Sequence, residues 1–219
     1  MKTLEKIIVD SLIELKNISH ENSIANKNQK SNLIFPRARL NKASRISEQE
    51  ARFLFIRELE KKENKHSFYY SIETPTCNIY QFSQGGKKIE PKIGEGQSAS
   101  IDVTLYSKIE ERFHRKHLIE FKQGNINTCK KDFLKLLFDI NGLHNFYINV
   151  INRENLSKRK TLESIINKYQ NAINDLIKKE QKDISKLTII LFNINDGDLR
   201  IFKEIDIRNG KVKIEENNL

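Results

Sequence analysis

Apolar residues recur at helical spacing in several stretches of the chain, and much of the remainder alternates or runs apolar as strands do. Leu4, Ile7, Ile8, Leu12 and Leu15 predict a short amphipathic helix over 3–16. Residues 17–45 carry Asn, Ser and Lys with little periodicity. They read as a long polar loop or linker, with Phe35-Pro36 as a docking point. Ser47-Glu48-Gln49-Glu50 has the form of a capping box and opens a helix running to about Lys62. Ala51, Leu54, Phe55 and Leu59 give that helix an inner face. Phe53 and Ile56 widen it, which predicts packing on more than one side.

From His66 the period changes to two. His66–Glu73 reads as a strand ending at Thr74-Pro75, and Cys77–Ser83 as a second run that Gly85-Gly86 turns into 87–93. Gly94-Glu95-Gly96 breaks the chain before a strand containing Asp102. A strand with Glu120 and Lys122 follows and ends at Gly124. Thr128 is the expected cap of a helix over 129–140, with Phe133, Leu136, Leu137 and Ile140 inward. Asn145–Ile151 reads as a buried strand, 158–181 as a long helix and Leu187–Ile194 as another strand. Asp196-Gly197 and Asn209-Gly210 are turn signals that make the C-terminus a small β-meander. The order predicts an α/β protein with a central mixed β-sheet flanked by helices. Its expected division is an N-terminal helical arm and polar linker, 1–45, and an α/β domain, 46–219.

A chain of 219 residues with 37% hydrophobic and 31% charged residues suits one domain with an appendage. The net charge of +10 favours an anionic partner, nucleic acid first, although plain solubility charge also accounts for it. Cys77 and Cys129 make neither a disulfide framework nor a zinc site and suit a reducing compartment, so the expectation is a cytoplasmic protein. No apolar run approaches the roughly 18 residues that span a bilayer, and the acidic residues near the start do not suit a signal peptide.

The chemistry concentrates in Ser100–Gly124. Alternation puts Ser100, Asp102, Thr104 and Tyr106 on one side of the first strand and Ile101, Val103 and Leu105 on the other. Glu120 and Lys122 share a face of the second strand. Hairpin pairing through 107–114 would bring Asp102, Glu120 and Lys122 together. Such groups on half-buried strands destabilise the fold unless something pairs them. A Mg²⁺ or Mn²⁺ ion, which takes oxygen ligands, would do so through Asp102, Glu120 and the backbone carbonyl of Phe121. Lys122 could orient the attacking water, accept its proton if its pKa is lowered, or offset phosphate charge. Glu50 is the candidate for a further carboxylate, with Glu58 as second choice, although the capping box alone also explains Glu50.

Ile-Asp-Val around Asp102 and Ile-Glu-Phe-Lys around Glu120 and Lys122 resemble the motif of the PD-(D/E)xK phosphodiesterase superfamily, which has the restriction-endonuclease-like fold. The resemblance covers about residues 47–151. It implies an αβββαβ core, catalytic roles for Asp102, Glu120, Lys122 and Glu50, and a metal-dependent nuclease. Gln123, after the lysine, also resembles many members. Ile101 stands where many members have proline, and the hairpin at 77–93 is an insertion. By the same analogy the substrate is DNA, the assembly a homodimer cutting both strands, and the role defence against foreign DNA.

Lys130, Lys131 and Lys135 lie on the helix after the motif, where they could hold phosphates, or be a solvated helix face. Arg37, Arg39, Lys42 and Arg45 could likewise touch a nucleic-acid backbone. His114, His117 and His144 lack metal-ligand spacing, and His117 reads as structural or exposed. Two other readings fit the same residues. One is a non-catalytic nucleic-acid-binding module. The other is an interaction subunit of a larger protein complex, docked through the helix at 3–16.

Overall fold

The computed structural model describes residues 3–36, 47–61, 68–84, 86–124, 128–152, 159–180, 184–202, 206–208, 211–213 and 216–217. The basic cluster Arg37, Arg39, Lys42 and Arg45 lies outside them. The first helix, α1, is Leu4–Lys16, with the Thr3 hydroxyl accepting from the Lys6 N–H. Two short strands, β1 (Ser19–His20) and β2 (Ile34–Phe35), pair in parallel. The expected polar loop or linker thus carries a short strand pair over this part. Gln29 stitches it, accepting from the Ser19 N–H and donating to the carbonyls of Ser31 and Leu33. Phe35 is buried, as its docking role requires.

Helix α2, Glu48–Leu59, starts at the capping box, where the Ser47 and Glu50 side chains each bond the other's backbone. Strand β3 (Tyr69–Gln84) runs unbroken through Thr74-Pro75, where the sequence predicted an end. Pro75 pairs with Ser100, and the register then shifts between Pro75 and Ile79. That bulge is satisfied from outside the sheet, because the buried Asp139 carboxylate accepts from the N–H groups of Cys77 and Asn78 and the Tyr80 hydroxyl. Strands β4 (Lys87–Ile93), β5 (Gln97–Ile109) and β6 (Arg112–Gln123) follow. The turn into β5 needs Gly96: its φ is +92°, and a Cβ there would lie 2.3 Å from the Tyr80 carbonyl oxygen. β5 and β6 join through Glu110 and Glu111, both at positive φ.

The remaining elements are α3 (Cys129–Phe138), β7 (His144–Ile151), α4 (Arg159–Glu180), β8 (Lys186–Asn193), β9 (Leu199–Phe202), β10 (Asp206–Arg208), β11 (Lys211–Lys213) and β12 (Glu216–Asn217). Thr128 precedes α3 without the side-chain cap bond expected of it. One 8-stranded sheet has the order β12-β9-β8-β7-β6-β5-β3-β4. It is mixed: β6–β7 and β7–β8 are parallel, and the other pairs are antiparallel. The C-terminal strands do not form one meander. β10 and β11 pair with each other, while β12 adds to β9.

Helices flank both faces of this α/β sheet. On one face α1 and α2 pack with Val103, Leu105, Ile119, Phe121, Phe146, Ile148 and Ile190. On the other, α3 and α4 pack with Leu118, Tyr147, Ile189 and Leu191. β7 and β8 are apolar on both sides because both sides are covered. Helix α1 shares the α2 core, with Ile7, Ile8, Leu12 and Leu15 at 0–1% exposure. It is therefore built into the fold and is not a separate arm. Ile101 falls in the α3–α4 core, whereas Val103 and Leu105 join the other. The expected single apolar face of β5 thus changes side at Asp102, across the sheet from Glu73, which is itself at φ +48°.

Candidate active site

Strands β5 and β6 part where the motif residues sit. Their pairing runs from the hairpin turn to Val103↔Ile119 and stops there among the described residues. Beyond it β5 pairs with β3 only, and β6 pairs with β7 from Ile119 to Gln123. Asp102 fills the gap in the ladder: its Oδ2 accepts the Phe121 N–H at 2.8 Å. Asp102, Glu120 and Lys122 therefore lie at one fork in the sheet. The N-terminus of α2 lies on one side, where Glu48 reaches β6, and α3 on the other, where Lys135 does.

Glu120 is 4% exposed, and its Oε1 lies 2.5 Å from Lys135 Nζ. The same ammonium donates to the Ser100 carbonyl of β5 at 2.9 Å and lies 3.4 Å from Asp132 Oδ1. Lys122 Nζ is 3.2 Å from Glu48 Oε1, which also accepts the Gln123 N–H at 3.2 Å. Arg52, one turn after Glu48, is 3.4 Å from Asp102 Oδ1 and pairs with Glu73 and Gln49. Ser100 Oγ donates to Glu73 at 2.7 Å.

Burial dominates the electrostatics. It pushes the Glu120 carboxyl well above the ordinary carboxylate range, against the pull of Lys135 and with the help of Asp132 and Asp102. Burial also raises Asp102, partly offset by the Phe121 N–H, and raises Asp132 against the pull of Lys135 and Lys122. On the lysines burial acts the other way but is outweighed. Asp132 and Glu48 hold Lys122 above its ordinary value, and Glu120 and Asp132 do the same for Lys135. Lys122 is thus held as a cation. A cation there can orient a water or offset phosphate charge, whereas accepting a proton would need these acids to be offset, as an ion on Glu120 would do.

Glu50 does not turn into this site. Its Oε2 takes the Ser47 N–H at 2.8 Å and the Ser47 hydroxyl, so the carboxylate is used by the cap. Glu48 is the α2 carboxylate beside Lys122. Glu58, the second choice, is buried and pairs with Lys61. The three α3 lysines do not form a row for phosphate. Lys130 pairs with Glu90 and Asp175, Lys131 lies over the Phe82 ring, and Lys135 is buried in the site. Gln123 sits half-buried at the end of β6. His117 is structural, its ring among Phe68, His144 and Phe146 and its Nδ1 at the His144 carbonyl. Cys77 and Cys129 are free thiols. Arg52, Glu73 and Asp132 escaped the sequence reading. The spacing of Glu48 and Arg52, four apart, was a usable signal, but nothing local linked Asp132 to Glu120.

The carboxylate oxygens of Asp102 and Glu120 suit a hard divalent cation in kind. Thr104 Oγ1 and Asn149 Oδ1 are buried with no hydrogen-bond partner among the described residues; Asn149 lies beside Lys122 in the β6–β7 register. No three His, Cys, Asp or Glu side chains among the described residues are grouped closely enough to hold a metal. An ion at the fork would therefore rest on the Asp102–Glu120 pair, main-chain oxygen and water. No helix among the described residues is long and apolar enough to cross a membrane. Comparison of the chain with protein-family models, curated proteins and solved structures finds no match.

Proposed function

We propose that the chain is a metal-dependent nuclease that hydrolyses phosphodiester bonds of nucleic acid, with DNA as its substrate. The observation that carries this reading is the convergence of Asp102, Glu120 and the cationic Lys122 where β5 and β6 separate. The order α2, β3, β5, β6, α3, β7, with antiparallel neighbours followed by a parallel one, supports a restriction-endonuclease-like core with β4 as an insertion. The net charge of +10 suits a polyanionic substrate.

Asp102 and Glu120 would hold Mg²⁺ or Mn²⁺, which supplies Lewis acidity at the phosphate and acidifies bound water. Lys122 orients the attacking water and counters the charge that builds on the phosphate oxygens. Glu48 fixes the Lys122 ammonium, and Arg52 fixes Asp102 from the same helix. A homodimer would bring two such sites to the two strands of a duplex, and defence against foreign DNA is the role we attach to it.

The test is cleavage of supercoiled and linear DNA in Mg²⁺, Mn²⁺ or EDTA by wild type, Asp102→Asn, Glu120→Gln and Lys122→Ala. Each substitution is expected to lower metal-dependent cleavage by about a hundredfold or more. Unchanged cleavage in all of them would reject the site. A second reading, a nucleic-acid-binding module without cleavage, draws on the pairing of Asp102 with Arg52 and of Glu120 with Lys135. It predicts salt-sensitive DNA binding that is indifferent to EDTA.

A further inference from the structure

We propose that Lys135 occupies the position of a second divalent cation and limits the fork to one metal ion. The inference rests on the metal-dependent reading above and concerns how many ions the site accepts.

The Lys135 ammonium has three N–H donors, and three oxygens surround it. They are Glu120 Oε1 at 2.5 Å, the Ser100 carbonyl at 2.9 Å and Asp132 Oδ1 at 3.4 Å. This shell, of two carboxylates and a main-chain carbonyl, is the ligand chemistry a hard cation takes. It draws on β5, β6 and α3, so the ammonium ties together the strands where their ladder has ended. Glu120, Asp132 and Lys135 are each less than a tenth exposed, so water screens little of this. The side chain is thus an interior cation with a built coordination shell, unlike Lys130, which bridges surface acids.

An ion held by Asp102 and Glu120 would share Glu120 with this ammonium. Two cations on one buried carboxylate leave no room electrostatically for a third between Glu120 and Asp132. Removing the ammonium reverses this. Glu120 and Asp132 would then stand buried without the cation that now lies against both, and a second divalent ion would relieve them. Asp132 is thereby a latent ligand, silent while Lys135 is present.

The test counts Mn²⁺ on the full-length chain after dialysis against EDTA, using the paramagnetic resonance signal of free Mn²⁺. Wild type and Lys135→Arg should bind one ion. Lys135→Gln, which keeps a donor for the Ser100 carbonyl, should bind two, the first about tenfold more tightly than wild type. Adding Asp132→Asn to Lys135→Gln should return the count to one. If Lys135→Gln needs Mn²⁺ to fold, its folding equilibrium should follow the square of the Mn²⁺ concentration, and a first-power dependence would overturn the inference. One ion in Lys135→Gln at wild-type affinity overturns it alone, as do two ions in wild type. A wild-type chain that takes up no Mn²⁺ overturns it together with the metal-dependent reading.

Discussion

At the scale of single residues, two glutamates two positions apart on α2 do different work. Glu50 closes the capping box, and Glu48 meets Lys122 and the Gln123 N–H. A helix turns about 100° per residue, so side chains two apart point to nearly opposite sides. Glu50→Ala is expected to cost about 1 kcal/mol of stability, read as a lower denaturation midpoint, with DNA cleavage unchanged. Glu48→Ala removes a half-exposed partner and should alter stability by less than that. Its effect should appear in turnover, about a tenfold fall in cleavage with Mg²⁺, because Lys122 loses its fixed position. Equal cleavage by both variants would show that Glu48 has no part in the chemistry.

At the scale of elements, the β5–β6 hairpin holds the two halves of the motif in register and does so with an unfavourable turn. Glu110 and Glu111 stand at φ +47° and +64°, the left-handed region that asparagine and glycine adopt with least strain. Replacing the pair by Asn-Gly should stabilise the protein by about 1 kcal/mol, measured by chemical denaturation, and leave the fork as it is. A loss of stability would mean that the Lys108–Glu111 ion pair outweighs the backbone strain. The bulge in β3 follows a similar logic. Its freed N–H groups would be costly if unpaired, and Asp139 at the end of α3 takes them, so strand and helix depend on each other.

At the scale of the whole molecule, α1 decides whether the chain has a detachable arm. Its apolar residues pack with α2 and the β6–β8 face of the sheet, and the ordered polar loop after it brings Lys30 to Glu14. Deleting residues 1–16 should therefore strip one face of the core and leave an aggregating or molten chain, seen as loss of cooperative thermal unfolding. A truncated protein that keeps a sharp transition near the wild-type midpoint would restore the arm reading. Since α2 carries Glu48 and Arg52, the same packing holds them against Lys122 and Asp102.

The sequence by itself determined the helices, most of the strands, the α/β class and the placing of Asp102, Glu120 and Lys122 on neighbouring strands. These follow from periodicity, caps and turn residues, all of which act over a few positions. It misread Pro75 as a strand end, because whether a proline and the bulge after it are tolerated depends on which groups lie across the sheet. It named Glu50, with Glu58 as second choice, and passed over Glu48, because a cap and a site can both claim an acid in the first turn. It took Lys135 for a phosphate contact, because burial of a lysine depends on acids far away in the chain. Only the tertiary structure decided these points: the sheet order brings α3 against β6, and α1 and α2 over the opposite face. At the fork between them, Asp102 fills the gap in the ladder while Lys135 neutralises Glu120.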